Sequence, residues 1–106
     1  MKKEDKRYMT ISKNSEGSKL TLSLEGRLDT VTAPTLEAEL KQSLNDVTEL
    51  VFDFSTLEYI SSAGLRVLLA SQKTMSKQGS MVVRHVNESI MEVFEVTGFS
   101  DILSIE

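Results

Sequence analysis

The residues that the sequence lacks exclude several classes of function. It contains no cysteine, and its 106 residues include one histidine, His85, and one proline. Without cysteine the chain can form neither a disulfide nor a thiolate metal site, and one histidine cannot make a histidine cluster. Metal-centred chemistry is therefore not expected. No apolar run approaches the roughly 20 residues that a membrane-spanning helix needs, so direct insertion into a membrane is not expected either.

The chain also lacks a strong charge of either sign. Its 12 basic and 16 acidic side chains give a net charge of -4, which disfavours generic binding to nucleic acid. Charged residues follow Met1-Lys2-Lys3 where a secretory leader would be apolar, so a cytoplasmic location is expected. The length predicts a single domain over residues 1–106, of which residues 1–6 are expected to be flexible.

The stretch VFDFSTLEYISSAGLRVLLASQ, from Val51 to Gln72, changes its hydrophobic period in the middle. Its apolar beginning predicts a strand over Glu49–Phe54 that is buried on both faces, followed by a connector over Ser55–Ile60. The apolar residues that follow recur at helical spacing. They predict a helix over Ser62–Gln78, which Gly79 ends with a positive φ. Functional residues are expected at the junction between this strand and this helix, because α/β folds place their binding sites beyond the carboxyl ends of strands.

The residues before this stretch predict a hairpin and a helix. Apolar and polar residues alternate over Tyr8–Lys13 and again over Leu20–Glu25, with turn residues at Asn14–Gly17 between them, which is typical of an antiparallel hairpin. The segment Gly26–Asp29 is expected to end the second strand. A first helix follows with Thr32 as its N-cap. Its inward stripe is predicted to be Ala33, Leu36, Leu40 and Leu44.

The residues after the central stretch predict one more strand and one more helix. The strand covers Met81–Val86, and the helix is capped by Asn87 and ended by Gly98. The segment Phe99–Ile105 is a candidate for a short edge strand. The element order predicts an α/β fold with a mixed sheet of four to five strands, an opening antiparallel hairpin and three to four helices.

Two motifs in this pattern resemble the STAS domain family, which is shared by anti-sigma factor antagonists and the cytoplasmic tails of sulfate transporters. The segment DFSTLEYISSAGLRVLL (Asp53–Leu69) is similar to the strand, loop and serine-bearing helix start of that family. The segment GRLDTVTAP (Gly26–Pro34) is similar to its Gly-x-Leu-Asp turn. Val96–Phe99 resembles the end of its last helix. With no membrane span, the resemblance is to a free-standing bacterial anti-sigma factor antagonist.

The resemblance implies a partner switch. In such systems the unmodified antagonist binds an anti-sigma factor that is also a serine kinase, phosphorylation of the antagonist abolishes this binding, and a serine phosphatase restores it. By position, the resemblance implies that Ser62 is the phosphoacceptor and that Asp29 helps to recognise the partner. Well-known members have Asp-Ser-Ser/Thr-Gly where this chain has Ser61-Ser62-Ala63-Gly64, so Ser61 is a second, less favoured acceptor.

The expected partner-binding residues each have an ordinary structural explanation as well. They are Asp29, Ser61, Ser62, Gly64 and Arg66. A serine at a helix start can cap the helix, and an aspartate in a loop can form an Asx-turn. A glycine in a first helical turn allows close packing, and an exposed arginine can be an ordinary solvated charge.

Two other functions compete with the switch. One is a constitutive adaptor of the same fold, such as a regulatory subunit of a transporter or of a signalling complex, in which Ser62 is only structural. The other is an enzyme with Ser62 as nucleophile, which the sequence disfavours because His85 is alone and lies on another strand. No Gly-rich phosphate loop is present, and no cofactor is expected. The ATP and magnesium for phosphorylation should belong to the kinase partner.

Overall fold

The computed structural model describes residues 8–106, so the flexibility expected of residues 1–6 falls on a segment outside the described residues. The elements in chain order are β1 Met9–Glu16, β2 Lys19–Leu28, α1 Ala33–Ser43, β3 Glu49–Ile60, α2 Ser62–Gln78, β4 Ser80–Arg84, α3 Glu88–Thr97 and a 3-10 turn at Phe99–Asp101. Within the described range, no helix combines the length and the apolar character that crossing a membrane requires.

The four strands form one sheet in the order β1-β2-β3-β4. β1 pairs with β2 in antiparallel orientation, whereas β2, β3 and β4 run parallel, with α1 and α2 as the crossover connections. The predicted α/β class, with a mixed sheet and an opening antiparallel hairpin, is confirmed. The parallel order places the carboxyl ends of β2 and β3 side by side, which positions the site described below.

The hairpin strands are longer than the alternation predicts. Glu16 pairs with Lys19, so the turn is Gly17-Ser18 and not Asn14–Gly17. Gly17 has φ 61°, the left-handed conformation that such a tight turn requires and that glycine adopts without strain. β2 also runs past Glu25, because Gly26 adopts φ 101° and lets the strand continue beside the Tyr8 carbonyl. A Cβ on residue 26 would lie 2.5 Å from that carbonyl oxygen.

The connector predicted over Ser55–Ile60 is wrong, since these residues are the second half of β3 and pair with β2. The register with β2 shifts twice, between Ser23 and Glu25 and again between Gly26 and Arg27. Such bulges break the two-residue alternation that identifies a strand in a sequence. As a result the inward residues Leu57 and Ile60 lie three positions apart, and both are buried.

At the carboxyl side of the fold, two boundaries and the conformation of one glycine also differ from the sequence prediction. β4 ends at Arg84 and not at Val86, because His85 has φ 59° and turns the chain away from the sheet. The candidate edge strand over Phe99–Ile105 is a 3-10 turn followed by a single bridge from Ile105 to Val83. Gly79 ends α2 as predicted, but at φ 172°, so its predicted positive, left-handed φ is wrong.

One hydrophobic core joins the sheet to all three α-helices. Its largest fully buried side chains are Phe52, Phe54, Phe94, Leu22, Leu24, Leu28, Leu36, Leu50, Leu57, Leu68, Met75 and Ile90. Because the ends of β2 and β3 contribute to this core, core packing holds the first residues of the loops that follow these strands in place.

Candidate functional site

The site lies where β2 and β3 end next to each other. Leu28 and Ile60 are register partners in the parallel pair, so the residues that follow them, Asp29 and Ser61, leave the sheet side by side. The Ser61 N–H donates to the Leu28 carbonyl at 2.9 Å. The structure therefore brings together the two segments in which the sequence placed its functional residues.

The two serines at the start of α2 differ in accessibility. Ser61 is the N-cap, with extended backbone, and its carbonyl accepts from the Leu65 N–H at 3.0 Å. Its hydroxyl makes no capping hydrogen bond; Ser61 Oγ is buried and has no partner among residues 8–106. Ser62 is the first residue of the helix and is exposed. The ordinary explanation of a side-chain cap therefore applies to neither serine.

Gly64 lets the first turn of α2 pack onto the ends of both strands. A Cβ at this position would lie 2.7 Å from Leu28 Cγ and 2.8 Å from Ile60 Cγ1, closer than side chains approach one another. This contact is reason enough for a glycine inside a helix, where it costs up to about 1 kcal/mol relative to alanine. A contact between Gly64 and a partner stays a prediction.

The turn after β2 is closed by Asp29 and Thr32. Asp29 Oδ1 accepts from the N–H groups of Val31 and Thr32 at 3.0 and 3.1 Å, which is an Asx-turn. In return, Thr32 Oγ1 accepts from the Asp29 N–H at 2.9 Å and donates to the Arg27 carbonyl at 2.7 Å. The ordinary structural role of Asp29 is thus present, and its contact with a partner stays a prediction.

The carboxylate of Asp29 is held in its ionised form. Burial raises the pKa of Asp29, but the hydrogen bonds from the Thr32 and Val31 amides outweigh burial, so this pKa lies below its ordinary value. Arg27 adds to this effect, with its Nε 3.5 Å from Asp29 Oδ2. Asp29 is therefore ionised at neutral pH, with the Arg27 guanidinium as its neighbouring cation.

Arg27 and Tyr59 support the turn, and the sequence analysis missed both. They are register partners at the ends of β2 and β3, and the Arg27 guanidinium lies over the Tyr59 ring, 4.1 Å from its centre. The spacing of Arg27 two residues before Asp29 was the available signal, since residues i and i+2 of a strand share a face. The Asp-x-x-Thr spacing of the turn was a second signal.

Arg66 lies on the exposed side of α2, one turn after Ser62. It borders a cleft of about 270 Å³ between the first turns of α1 and α2, with Thr30, Pro34 and Glu37 on the opposite side. Arg66 forms no ion pair with any residue in the range 8–106. Its predicted contact with a partner is therefore sterically open and stays a prediction.

His85 lies far from the serines. Its Nδ1 is 3.1 Å from Asp53 Oδ1, and Asp53 precedes the end of β3 by seven residues, about 20 Å along an extended strand. Within the part of the chain that the structure describes, no histidine lies near Ser62. The arrangement offers an accessible hydroxyl beside a fixed carboxylate, without a histidine base.

The contribution of the Thr32 hydroxyl to stability can be tested by replacing Thr32 with valine, which keeps the shape of the side chain. We expect the free energy of unfolding to fall by about 1 to 3 kcal/mol, because the Asp29 N–H and the Arg27 carbonyl would lose their buried partner. Chemical denaturation of Thr32→Val measures this loss, and Thr35→Val, an exposed threonine of α1, is the matched control. Equal losses in the two variants would contradict the assigned role.

Comparison with known proteins places this geometry in a family. A family model described as Mlab, STAS domain, matches residues 11–104. BtrV of Bordetella bronchiseptica, which is named as an anti-sigma factor antagonist, is 34% identical over 99 residues, covering 92% of this chain and 85% of BtrV.

Two solved structures share the fold. An anti-sigma factor antagonist from Mycobacterium paratuberculosis is 25% identical with a TM-score of 0.84, over 92% of this chain and 85% of that chain. The Bacillus cell fate determinant SpoIIAA in its phosphorylated form is 16% identical with a TM-score of 0.72, over 92% of this chain and 91% of that chain, which is a likeness of fold alone. The chain belongs to the STAS domain family, and its relatives in sequence are named as anti-sigma factor antagonists.

Proposed function

We propose that the chain is an anti-sigma factor antagonist that binds an anti-sigma factor with serine kinase activity and is released by phosphorylation of Ser62. The observation that carries this proposal is the difference between the two serines. A kinase must bring the acceptor hydroxyl to the γ-phosphate of ATP, which requires an accessible side chain. Ser62 is exposed at the start of α2, whereas Ser61 Oγ is buried.

The surroundings of Ser62 suit a switch that acts by charge. A phosphoserine at a helix N-terminus is stabilised by the positive end of the helix dipole, so the domain need not unfold to accept it. SpoIIAA, a protein of the same fold, is known in a phosphorylated form. The phosphate adds about two negative charges next to the ionised Asp29, and a partner shaped for a neutral hydroxyl would meet both repulsion and desolvation.

The chain acts in this proposal as a substrate and a binding partner. Ser62 Oγ attacks the γ-phosphorus of ATP held by the kinase, its proton passes to a base of the kinase, and ADP leaves. A serine phosphatase reverses the state by transferring the phosphoryl group to water. The ATP and its metal ion are supplied by the kinase, so the chain requires no cofactor of its own. The proposal includes a cytoplasmic location, where ATP is available.

Phosphosite mapping tests the proposal. We expect protein isolated from its native cell to carry a single phosphate that is absent from Ser62→Ala and retained in Ser61→Ala. Intact-mass and peptide analysis of the three proteins measures this, and Ser61→Ala is the matched control because it removes the neighbouring hydroxyl. No phosphate under conditions in which the pathway cycles would contradict the proposal and leave the constitutive adaptor as the function.

A further inference from the structure

Arg66 is placed to contact whatever is attached to Ser62. The two residues are the first and fifth of α2, which is the i, i+4 spacing that brings side chains together on one helix face. Side chains of a helix also lean toward its N-terminus, so the long side chain of Arg66 can reach the turn that begins at Ser62. Both residues are exposed.

The guanidinium of Arg66 forms no ion pair within the described part of the chain. Glu37 borders the same cleft, but its carboxylate does not lie within ion-pair distance of Arg66. Asp29, the other carboxylate of the site, is already engaged by Arg27 and by the amides of its own turn. A new anion at Ser62 would thus meet a cation that has no other partner in residues 8–106.

We propose that Arg66 holds the phosphoryl group of phosphorylated Ser62 within the same chain, an inference that rests on the proposed function. The planar guanidinium donates two parallel hydrogen bonds to phosphate oxygens, a geometry that an ammonium group cannot reproduce. Arg66 is a positioning residue: it takes no part in phosphoryl transfer and fixes where the phosphate lies afterwards.

This contact makes phosphorylation act in two ways. It adds negative charge to the surface around Ser62, and it withdraws Arg66 from that surface by pairing it with the phosphate. A partner carboxylate that meets Arg66 in the unmodified protein therefore loses its cation and gains an anion in the same event. The partner chemistry implied is an acidic side chain placed opposite the first turns of α2.

Phosphorus NMR tests the contact directly. Phosphoserine is installed at position 62 during translation, and the pH titration of its second proton is followed in the otherwise wild-type chain and in Arg66→Gln. A nearby cation favours the doubly charged phosphate, so we expect the midpoint to be lower by about half a pH unit when Arg66 is present. Lys73→Gln is the control, because it removes the same charge from the same helix at a position about 16 Å from Ser62 by helix rise. It should leave the midpoint unchanged.

Equal midpoints in the wild-type chain and in Arg66→Gln would overturn the inference, as would an equal change in Lys73→Gln. Arg66→Lys provides a second variant, which should recover part of the lowered midpoint because it keeps the charge but loses the paired hydrogen bonds. Since the phosphate is installed during translation, this test does not depend on the native kinase. Absence of native phosphorylation would instead be detected by phosphosite mapping, so the two failures are distinguishable.

Discussion

Replacing Gly79 with alanine is expected to lower the free energy of unfolding by about 3 kcal/mol or more, because overpacking against backbone cannot be relieved by a rotamer change. A Cβ at Gly79 would lie 1.8 Å from the Thr48 carbonyl oxygen and 2.6 Å from its carbon. That carbonyl also accepts from the Ser80 N–H at 2.9 Å, directly before the first residue pair of β3 and β4. Moving it away would disturb the start of this strand pair.

Chemical denaturation measures the effect, and Gly98→Ala is the matched control. Gly98 ends α3 at φ 84° and has no atom within 4 Å of the position of a Cβ. The control should therefore cost only the strain of a left-handed alanine, about 1 to 2 kcal/mol. If Gly79→Ala cost no more than Gly98→Ala, the close approach of Thr48 would not be what requires glycine at position 79.

Gly79 also shows which features of the fold a local sequence pattern can predict and which it cannot. The bounds of α2, Ser62 to Gln78, were predicted correctly, because the change of period and the glycine that stops the helix are both local signals. The conformation of Gly79 was not, because left-handed glycines are so common at helix ends that they are the default expectation. The actual requirement comes from Thr48, a residue 31 positions earlier, and such contacts leave no local pattern.

The second half of β3 could not be predicted for a related reason. Two register shifts place the inward residues Leu57 and Ile60 three positions apart, so the alternation expected of a strand stops at Phe54. Bulges are a property of a pair of strands, whereas the periodicity is read from one strand at a time. The same shifts aim the ends of both strands so that Asp29 and Ser61 emerge together.

The sequence predicted two segments for the candidate site, and the structure brings them together, but the burial and the hydrogen bonds of their side chains were not predicted. Motif similarity selected Asp29 and the serines, and the parallel sheet brings their segments together. The burial of Ser61 Oγ could not be read from the sequence, because it depends on how α2 sits on the strand ends. The hydrogen bonds of the Thr32 hydroxyl to the Asp29 N–H and the Arg27 carbonyl were missed, because residue type suggested Thr32 as a simple helix cap. Thr32 occupies the N-cap position without making the side-chain capping bond.

Phosphorylation of Ser62 is expected to weaken binding to the cognate anti-sigma factor kinase by about thirty- to a hundredfold, or roughly 2 to 3 kcal/mol. The phosphate would add about two negative charges to a surface on which the Asp29 carboxylate is already ionised. Isothermal titration calorimetry of the purified kinase with the unmodified chain, and with the chain carrying phosphoserine at position 62, measures the loss.

The control must carry the same added charge at a distance from the contact surface. Phosphoserine at position 76 meets this need, because Ser76 is exposed on α2 and lies about 21 Å from Ser62 by helix rise, beyond the screening length at physiological salt. We expect this control to bind within about twofold of the unmodified chain. Equal weakening in both phosphorylated proteins would show that net charge and not position governs the switch. Undiminished binding with phosphoserine at position 62 would mean that the kinase contacts another face, and that the chain acts as an adaptor indifferent to the state of Ser62.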